Sequence, residues 1–373
     1  MARELCADTL ARTRTPVAEG TMKILVDAGE NGDWIRRGSL DFQGTPREFA
    51  DYMHASGVTP GHLVTLVVYR AHVDFFDAAL AEYERLYGTS VASAAAPPAR
   101  KAAIARQREW ASSRSIALDS AGYTLQLDDN LYQPLSAATC AEFESADGSE
   151  LGSKGGRGKM QALHSSSALG VNVFEHWRDT DTAPLASALG IDSKIVSVGF
   201  EHKYPTGLPG TPPNLDVVLE LDTDGILAIE SKYLEPYGSR HTSTFKPQYF
   251  TGDEGLWARH GMLRCQSFAE RIAREDIRFR WLNAAQLLKH ALGLAVSAGV
   301  PWSLAYIWYR VPGPEGDGHA AEVEQFVSLV SGDPFLLIEA TYQDLIDRIA
   351  RQAGPEHADY LRYIQDRYMS MSG

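Results

Sequence analysis

The sequence predicts an α/β fold in which helices flank a central mixed sheet. Two short runs rich in Val, Ile and Leu, residues 215–221 and 226–233, are separated by Asp222-Thr223-Asp224-Gly225, a strand–turn–strand pattern. The stretch Lys194–His202 alternates side chains in the manner of a preceding strand. The series is completed by a helix over Met160–Trp177, a helix over Trp281–Ser297 and a strand over Trp302–Arg310.

The hairpin carries three charged residues that can share one face of the sheet. Side chains alternate along a strand, so Glu230 and Lys232 lie on the same side. A three-residue loop with Gly225 in the left-handed conformation pairs Asp222 with Ile226. That register places Asp216 opposite Lys232 and diagonal to Glu230. A two-residue loop would put them on opposite faces, and the sequence leaves both registers open.

These residue types suit metal-dependent hydrolysis of a phosphodiester. Mg²⁺ takes oxygen ligands and is held by one or two carboxylates together with substrate phosphates. Such an ion neutralises charge that develops on the reacting phosphate. A lysine beside it orients water or stabilises that charge. The pattern therefore predicts a nuclease, with Asp216 and Glu230 as metal ligands and Lys232 as a catalytic residue. The alternatives are a non-catalytic module that binds nucleic acid or a protein partner, and a different metal-dependent hydrolase, which carboxylates on opposite faces of the sheet would favour.

At these residues the chain resembles the PD-(D/E)xK nuclease superfamily, which has the restriction-endonuclease-like fold. Asp216 matches the first acidic position, and Glu230-Ser231-Lys232 matches the second motif. The resemblance covers about residues 158 to 310 and extends to largely uncharacterised bacterial members. It implies a core of helix, three-stranded meander, helix and strand, and a Mg²⁺-dependent endonuclease acting on DNA, with Mn²⁺ as the alternative metal.

The match departs from the superfamily pattern at two places. No Pro directly precedes Asp216, since Pro212-Pro213-Asn214-Leu215 stands before it. Gln286 and His290 are similar to the Gln-x-x-x-Tyr helix of one branch, with His in place of Tyr. The resemblance implies that Gln286 holds substrate or water.

A third acidic metal ligand is expected from a neighbouring element, and two residues are candidates. Glu201 lies on the strand before the hairpin, and Glu175 lies at the end of the first core helix. Glu201 is favoured because that strand is next to the hairpin in a meander.

The rest of the chain predicts two regions. Residues 1–98 form a mainly helical extension that ends in the linker Thr89–Pro98, and residues 99–373 form the nuclease-like domain. Beyond the core, residues 333–352 predict a strand and a helix with Thr341 and Asp344 as a cap. Glu356–Met371 predicts a terminal helix.

Composition indicates an ordinary globular protein, with 44% hydrophobic and 22% charged residues. The three cysteines have no paired spacing, so neither a disulfide framework nor a zinc site is expected. No apolar run approaches the ~20 residues of a membrane span, and the N-terminus lacks a signal-peptide core. A cytoplasmic protein without membrane association is therefore expected.

Charge is unevenly distributed along the chain. The net charge is −13, yet residues 231–290 contain ten Lys or Arg and six Asp or Glu, which gives +4 there and −17 elsewhere. The arginines in residues 270–281 either meet a phosphate backbone or form salt bridges on a solvated helix. The glycine-rich loop Gly152–Lys159 is either a phosphate cradle or a mobile loop. Nucleic acid, with DNA favoured, is the expected partner, and a homodimer is one candidate assembly.

Overall fold

A computed structural model describes residues 99–369, apart from 147, 153–155, 239–244 and 252–253. Nearer the N-terminus it describes three strands and residues 45, 47, 48, 50, 51, 82, 85 and 86. The chain divides into two compact units, Met1–Ala96 and Pro97–Gly373, which are described separately.

The described part of the first unit contains a three-stranded antiparallel sheet. Its strands are β1 (Met22–Asp27), β2 (Arg36–Phe42) and β3 (Thr65–Val68), in the order β2-β1-β3. The β-branched run at Thr65–Val68 favours a strand. Most of residues 1–98, including most of the expected helix, lies outside the described residues, so the mainly helical character of this region stays a prediction.

The second unit is built on a five-stranded mixed sheet, which confirms the predicted fold class. Its order is β4-β5-β6-β7-β8, with β4, β5 and β6 antiparallel and β7 and β8 parallel to β6. The strands are β4 (Ile195–Lys203), β5 (Asn214–Leu221), β6 (Ile226–Lys232), β7 (Trp302–Trp308) and β8 (Leu336–Thr341).

Helices cover both faces of this sheet. They are α1 (Ala99–Ser113), α2 (Ala137–Ser145), α3 (Ser166–Phe174), α4 (Ala183–Leu189), α5 (Leu263–Ala273), α6 (Ala284–Ser297), α7 (Pro314–Val330), α8 (Tyr342–Gln352) and α9 (Ala358–Ile364). The order α3, three-stranded meander, α6, β7 is the predicted core. The first core helix is shorter than predicted, because short 3₁₀ turns flank α3 on both sides.

Alternation along the strands divides the core into two hydrophobic clusters. In β6 and β7, odd-numbered side chains such as Leu227 and Ile229 pack with α3 and α8, and even-numbered ones such as Ala228 and Leu304 pack with α5, α6 and α7. Fully burying one such aliphatic side chain contributes about 1.5–3 kcal/mol. Because β6 has helices on both faces, nearly all of its side chains are buried. Even-numbered residues at its end therefore face α6.

The C-terminal elements follow the predicted pattern. The Thr341 hydroxyl accepts the backbone N–H of Asp344 at 3.0 Å, which caps α8 as predicted. The terminal helix begins as α9 and continues as a π-helical turn over Gln365–Met369. Among the described residues, no helix is both long enough and apolar enough to cross a bilayer.

Candidate active site

The β5–β6 register places Asp216 opposite Glu230. The strands pair Val217 with Ile229 and Glu220 with Ile226, and continuing this pairing outward brings Asp216 to Glu230. The predicted register, which pairs Asp216 with Lys232, is therefore wrong by two residues. A two-residue error preserves the side-chain face. The charges of Glu230, Lys232 and Glu201 all act on the pKa of Asp216, so these side chains lie close together at the end of the hairpin.

The correction has a physical cause in the turn. The loop is Asp222–Asp224, with the N–H of Leu221 bonded to the carbonyl of Gly225 at 2.9 Å. Asp224, with φ of 58°, takes the left-handed conformation that the prediction assigned to Gly225. Asp tolerates this conformation better than most residues. Gly225 instead allows close packing, because a Cβ there would lie 3.3 Å from the carbonyl oxygen of Pro301.

Three acidic residues occupy successive positions across the antiparallel strands. In β4, Phe200 pairs with Val217 and His202 with Leu215, so Glu201 stands opposite Asp216. Glu201, Asp216 and Glu230 thus form a row across β4, β5 and β6, called here the acid row. On β7, Tyr306 pairs with Glu230 and continues the same line.

Glu230 lies at the buried end of the acid row, between two basic side chains. Its Oε1 meets the Lys232 ammonium, and its Oε2 lies 2.8 Å from Nε2 of His290. Glu230 and His290 are each 1% exposed. Burial alone would raise the pKa of the Glu230 carboxyl, but Lys232 and His290 outweigh it and lower that pKa. The ionised carboxylate in turn raises the pKa of Lys232, which keeps its ammonium charged.

Asp216 is fixed by the backbone of the neighbouring strand. Its Oδ2 accepts the N–H of Ser231 at 2.7 Å. Burial and the nearby Glu230 carboxylate raise the pKa of Asp216 well above its usual range. The pair Asp216 and Glu230 therefore favours holding a proton unless another cation is present.

Glu201 combines an unusual backbone with an unusual pKa. Its φ is 57° inside a strand, a conformation that costs of order 1–3 kcal/mol in a non-glycine residue. The side-chain amide of Asn214 donates to Oε2 of Glu201. Burial, followed by the charges of Glu150 and Glu230, raises the pKa of Glu201 to about 7. Such strain and carboxylate crowding are typical of functional sites.

The three carboxylates are the type of ligand that a hard divalent cation prefers, although they are not arranged around a common point. Burial and neighbouring carboxylates raise the pKa of Asp216 and Glu201, and Lys232 offsets this only in part, so added positive charge would stabilise both carboxylates. Within the described residues, no group of three His, Cys, Asp or Glu side chains already has metal-ligating geometry.

Gln286 lines a cleft together with His290 and Asn214, the side chains that contact Glu230 and Glu201. It is in the first turn of α6, where Asn283 caps its backbone N–H at 3.1 Å. Lys246 and Lys289 also line this cleft, which has a volume of about 410 Å³. We call this the lysine cleft; its other lining residues are Pro209, Gly210, Thr211, Pro213, Gln248, Tyr249 and Asn283.

Glu175, the other candidate for a third ligand, has a structural role. Its oxygens accept the Thr139 hydroxyl at 2.7 and 2.8 Å, and the Arg178 guanidinium lies 3.0 Å away. Because these contacts fix the buried carboxylate, Glu201 is the better candidate.

The sequence indicated only weakly that His290 and Asn214 contact the acid row. His290 is one helical turn after Gln286 and holds Glu230, and Asn214 lies two residues before Asp216, hence on the same strand face. Neither spacing reveals the residue contacted. The contacts come from the packing of α6 and β4 against the hairpin.

The basic segment after the hairpin is largely neutralised by local pairs. Arg274 contacts Glu270 and Asp276, and Arg278 contacts Glu275. These contacts favour the salt-bridged alternative for this stretch. In the glycine-rich loop, residues 153–155 lie outside the described residues, and Lys159 lies 3.8 Å from Glu150.

An α/β domain with this meander and the sequence D…ExK at the end of its hairpin defines a restriction-endonuclease-like protein. A family model described as "Restriction Endonuclease associating with ARP" matches residues 105–308, more than half of the chain. The chain belongs to this family, which confirms the resemblance drawn from the hairpin. Comparisons with curated proteins and with solved structures gave no match.

Proposed function

We propose that the protein is a Mg²⁺-dependent nuclease that hydrolyses DNA phosphodiester bonds. The observation that carries the proposal is the acid row with Lys232 beside it, at the end of the hairpin of an endonuclease-like domain. Carboxylates from three adjacent strands and one charged lysine are the groups that metal-assisted phosphodiester hydrolysis uses.

Asp216 and Glu230 would hold the metal, with Glu201 as the third ligand. Carboxylate oxygens suit Mg²⁺, and Mn²⁺ accepts the same ligands. Positive charge at the acid row would offset the repulsion that raises the pKa of Asp216 and Glu201. When bound, the metal supplies Lewis-acid activation of the phosphate and of water.

Lys232 would supply a fixed positive charge at the reacting phosphate. Its ammonium is held by Glu230, and its side chain is 18% exposed, so it is partly open to a substrate. Fixed charges aimed at the transition state stabilise it without reorganisation. Lys232 would also orient the attacking water, and Gln286 in the nearby cleft would hold substrate or water.

The family description also supports a protein partner. It names association with ARP, and we propose that this chain associates with such a partner. A cytoplasmic location and a homodimeric assembly remain proposals from the sequence.

A second candidate is a catalytically inactive nuclease-fold module that binds nucleic acid or a protein. The observation that favours it is the engagement of both Glu230 oxygens, one by Lys232 and one by His290. A carboxylate held in this way is a structural ion pair unless a metal displaces one of its partners.

A cleavage assay with a lysine variant separates the two candidates. The full chain is incubated with supercoiled, linear and single-stranded DNA and with RNA, in Mg²⁺ or Mn²⁺. We expect Lys232→Ala to slow metal-dependent cleavage by at least about 100-fold, because the charge at the transition state is lost. Lys194→Ala, which removes an exposed lysine beside the start of β4, is the matched control and should cut at the wild-type rate.

Lys232 also neutralises a buried carboxylate, so folding must be checked. Removing one partner of a buried pair costs about 3–5 kcal/mol. Thermal unfolding of each variant is therefore measured, and Lys232→Gln, which keeps a donor for Glu230, is tested in parallel. Undiminished cutting by a folded Lys232 variant, or no cutting by the wild type on any substrate, would refute the nuclease assignment.

A further inference from the structure

The lysine cleft opens beside the acid row and carries positive charge. Its described lining includes Lys246 and Lys289 and contains no Asp or Glu. Two lysines in one cleft are notable because the chain as a whole has a net charge of −13. A local positive surface on an acidic protein attracts an anionic ligand to that place.

Lys289 is held in a defined position by aromatic rings. Its Nζ lies 5.1 Å from the ring centre of Phe245 and 5.5 Å from that of Tyr249. Tyr249 in turn stacks on the buried ring of Trp257. Cation–π contacts of this kind fix an ammonium group and remove part of its water. Burial and the nearby charge of Lys246 lower the pKa of Lys289, so an anion in the cleft would relieve both effects.

Buried polar atoms without hydrogen-bond partners line the same cleft. They are Nδ1 of His290, a residue only 1% exposed, and Oδ1 of Asn214. Unsatisfied buried polar atoms are rare in folded proteins and often mark a place where a ligand or water binds. The other ring nitrogen of His290 contacts Glu230. One side chain therefore borders both the cleft and the acid row.

We propose that the lysine cleft is the subsite for the substrate backbone, in which Lys246 and Lys289 each bind a phosphodiester close to the one that is cut. This inference rests on the proposed function and specifies how substrate reaches the acid row. The volume of about 410 Å³ suits a short stretch of one strand. His290 is the positioning residue between the two parts of the site.

The salt dependence of binding tests the subsite without requiring cleavage. Binding of fluorescently labelled oligonucleotides, single- and double-stranded DNA and RNA, is measured in EDTA over a range of salt concentrations. Each phosphate contact contributes about 0.7 to the slope of log K against log salt for single strands and about 0.9 for duplex DNA. Lys246→Ala/Lys289→Ala should lower the slope by about 1.4 or 1.8, respectively, and weaken binding at low salt.

A matched double variant controls for global charge. Lys101→Ala/Lys194→Ala also removes two lysines, both exposed and outside the cleft, and should keep the wild-type slope. Lys289→Arg should retain most of the slope, because the positive charge is preserved. Thermal unfolding of each variant verifies the fold.

The outcomes separate this inference from the proposed function. An unchanged slope in the cleft variant, an equal fall in the control, or no nucleic-acid binding by the wild type would each overturn the subsite. If the slope falls as expected but the wild type cuts nothing in Mg²⁺ or Mn²⁺, the subsite stands and the nuclease proposal fails. If the wild type cuts while the cleft variant keeps its slope, only the subsite fails.

Discussion

At the scale of single residues, buried ionisable groups in this protein occur in two different electrostatic environments. His319 is fully buried, and its environment satisfies the neutral ring: the Tyr237 hydroxyl donates to the Tyr309 carbonyl and lies 3.0 Å from Nδ1, while the Tyr306 hydroxyl lies 3.0 Å from Nε2. The acid row is different, because burial and mutual repulsion raise the pKa of Asp216 and Glu201, and Lys232 offsets this only in part. The environment of His319 is typical of a stable core, and the crowded carboxylates are typical of a functional site.

The neutral state of His319 predicts a loss of stability in acid. Burial lowers the pKa of His319 to about 3, so between about pH 3 and 6.5 the unfolded chain binds a proton that the folded chain does not. The free energy of unfolding therefore falls as the pH drops below about 6.5. At pH 5, about 1.5 units lower at about 1.4 kcal/mol each, His319 should account for a loss of about 2 kcal/mol.

Urea unfolding at pH 7.5 and pH 5 measures this effect. The control is His319→Gln, whose amide can donate and accept hydrogen bonds but does not titrate, and it should lose about 2 kcal/mol less than the wild type between the two pH values. Equal losses in the two proteins would show that His319 does not hold its neutral form.

At the scale of elements, α6 links the acid row to the lysine cleft. It carries His290, which contacts Glu230, and Gln286 and Lys289, which line the cleft. Its position depends on Gly293, because a Cβ there would lie 2.3 Å from the carbonyl oxygen of Tyr204, just after β4. The helix can approach the strand closely only because that residue has no side chain.

A pair of helix glycines tests the close approach. Gly293→Ala should destabilise the protein by about 1–3 kcal/mol, because the new methyl group clashes with the backbone. In α3, a Cβ at Gly170 would make only an ordinary contact, 3.8 Å from the Ser231 hydroxyl. Gly170→Ala should therefore be neutral or stabilising by up to about 1 kcal/mol. Denaturant unfolding compares both with the wild type, and equal effects would contradict the packing of α6 on Tyr204.

The hairpin shows how far element-level prediction from sequence reaches. Alternating apolar residues predicted β4, β5, β6 and β7 to within two residues at each end, because side-chain period is a local property. The turn was wrong in detail, because glycine is the usual left-handed residue and here Asp224 adopts that conformation. Pro301, whose carbonyl oxygen lies close to Gly225, comes from a distant part of the chain, so no local pattern indicates this packing.

At the scale of the whole nuclease-like unit, distant segments of the chain meet. Arg367 in the C-terminal turn donates to the Asn130 carbonyl at 2.7 Å and to the side chain of Gln107 on α1 at 3.1 Å. These segments, about 240 to 260 residues apart, close the unit around its sheet. Such pairings, like that of His290 with Glu230, depend on the global topology. The sequence could therefore identify Glu201, Asp216 and Glu230 as candidate site residues, but it could not indicate that His290 and Asn214 contact them.

The central claim is that the acid row holds a divalent cation for phosphodiester hydrolysis, and cation binding to the full chain tests it most directly. Titration calorimetry with Mg²⁺ and Mn²⁺ near pH 7.5 compares the wild type with Asp216→Asn, with Asp192→Asn, an exposed aspartate before β4, as control. Loss of an outer-sphere partner typically costs about 10–100-fold in metal affinity, so loss of a ligand should cost at least as much. We expect about one site in the wild type and the control, weakened at least tenfold in Asp216→Asn. Equal affinity in all three proteins, or no binding to the wild type, would contradict the account.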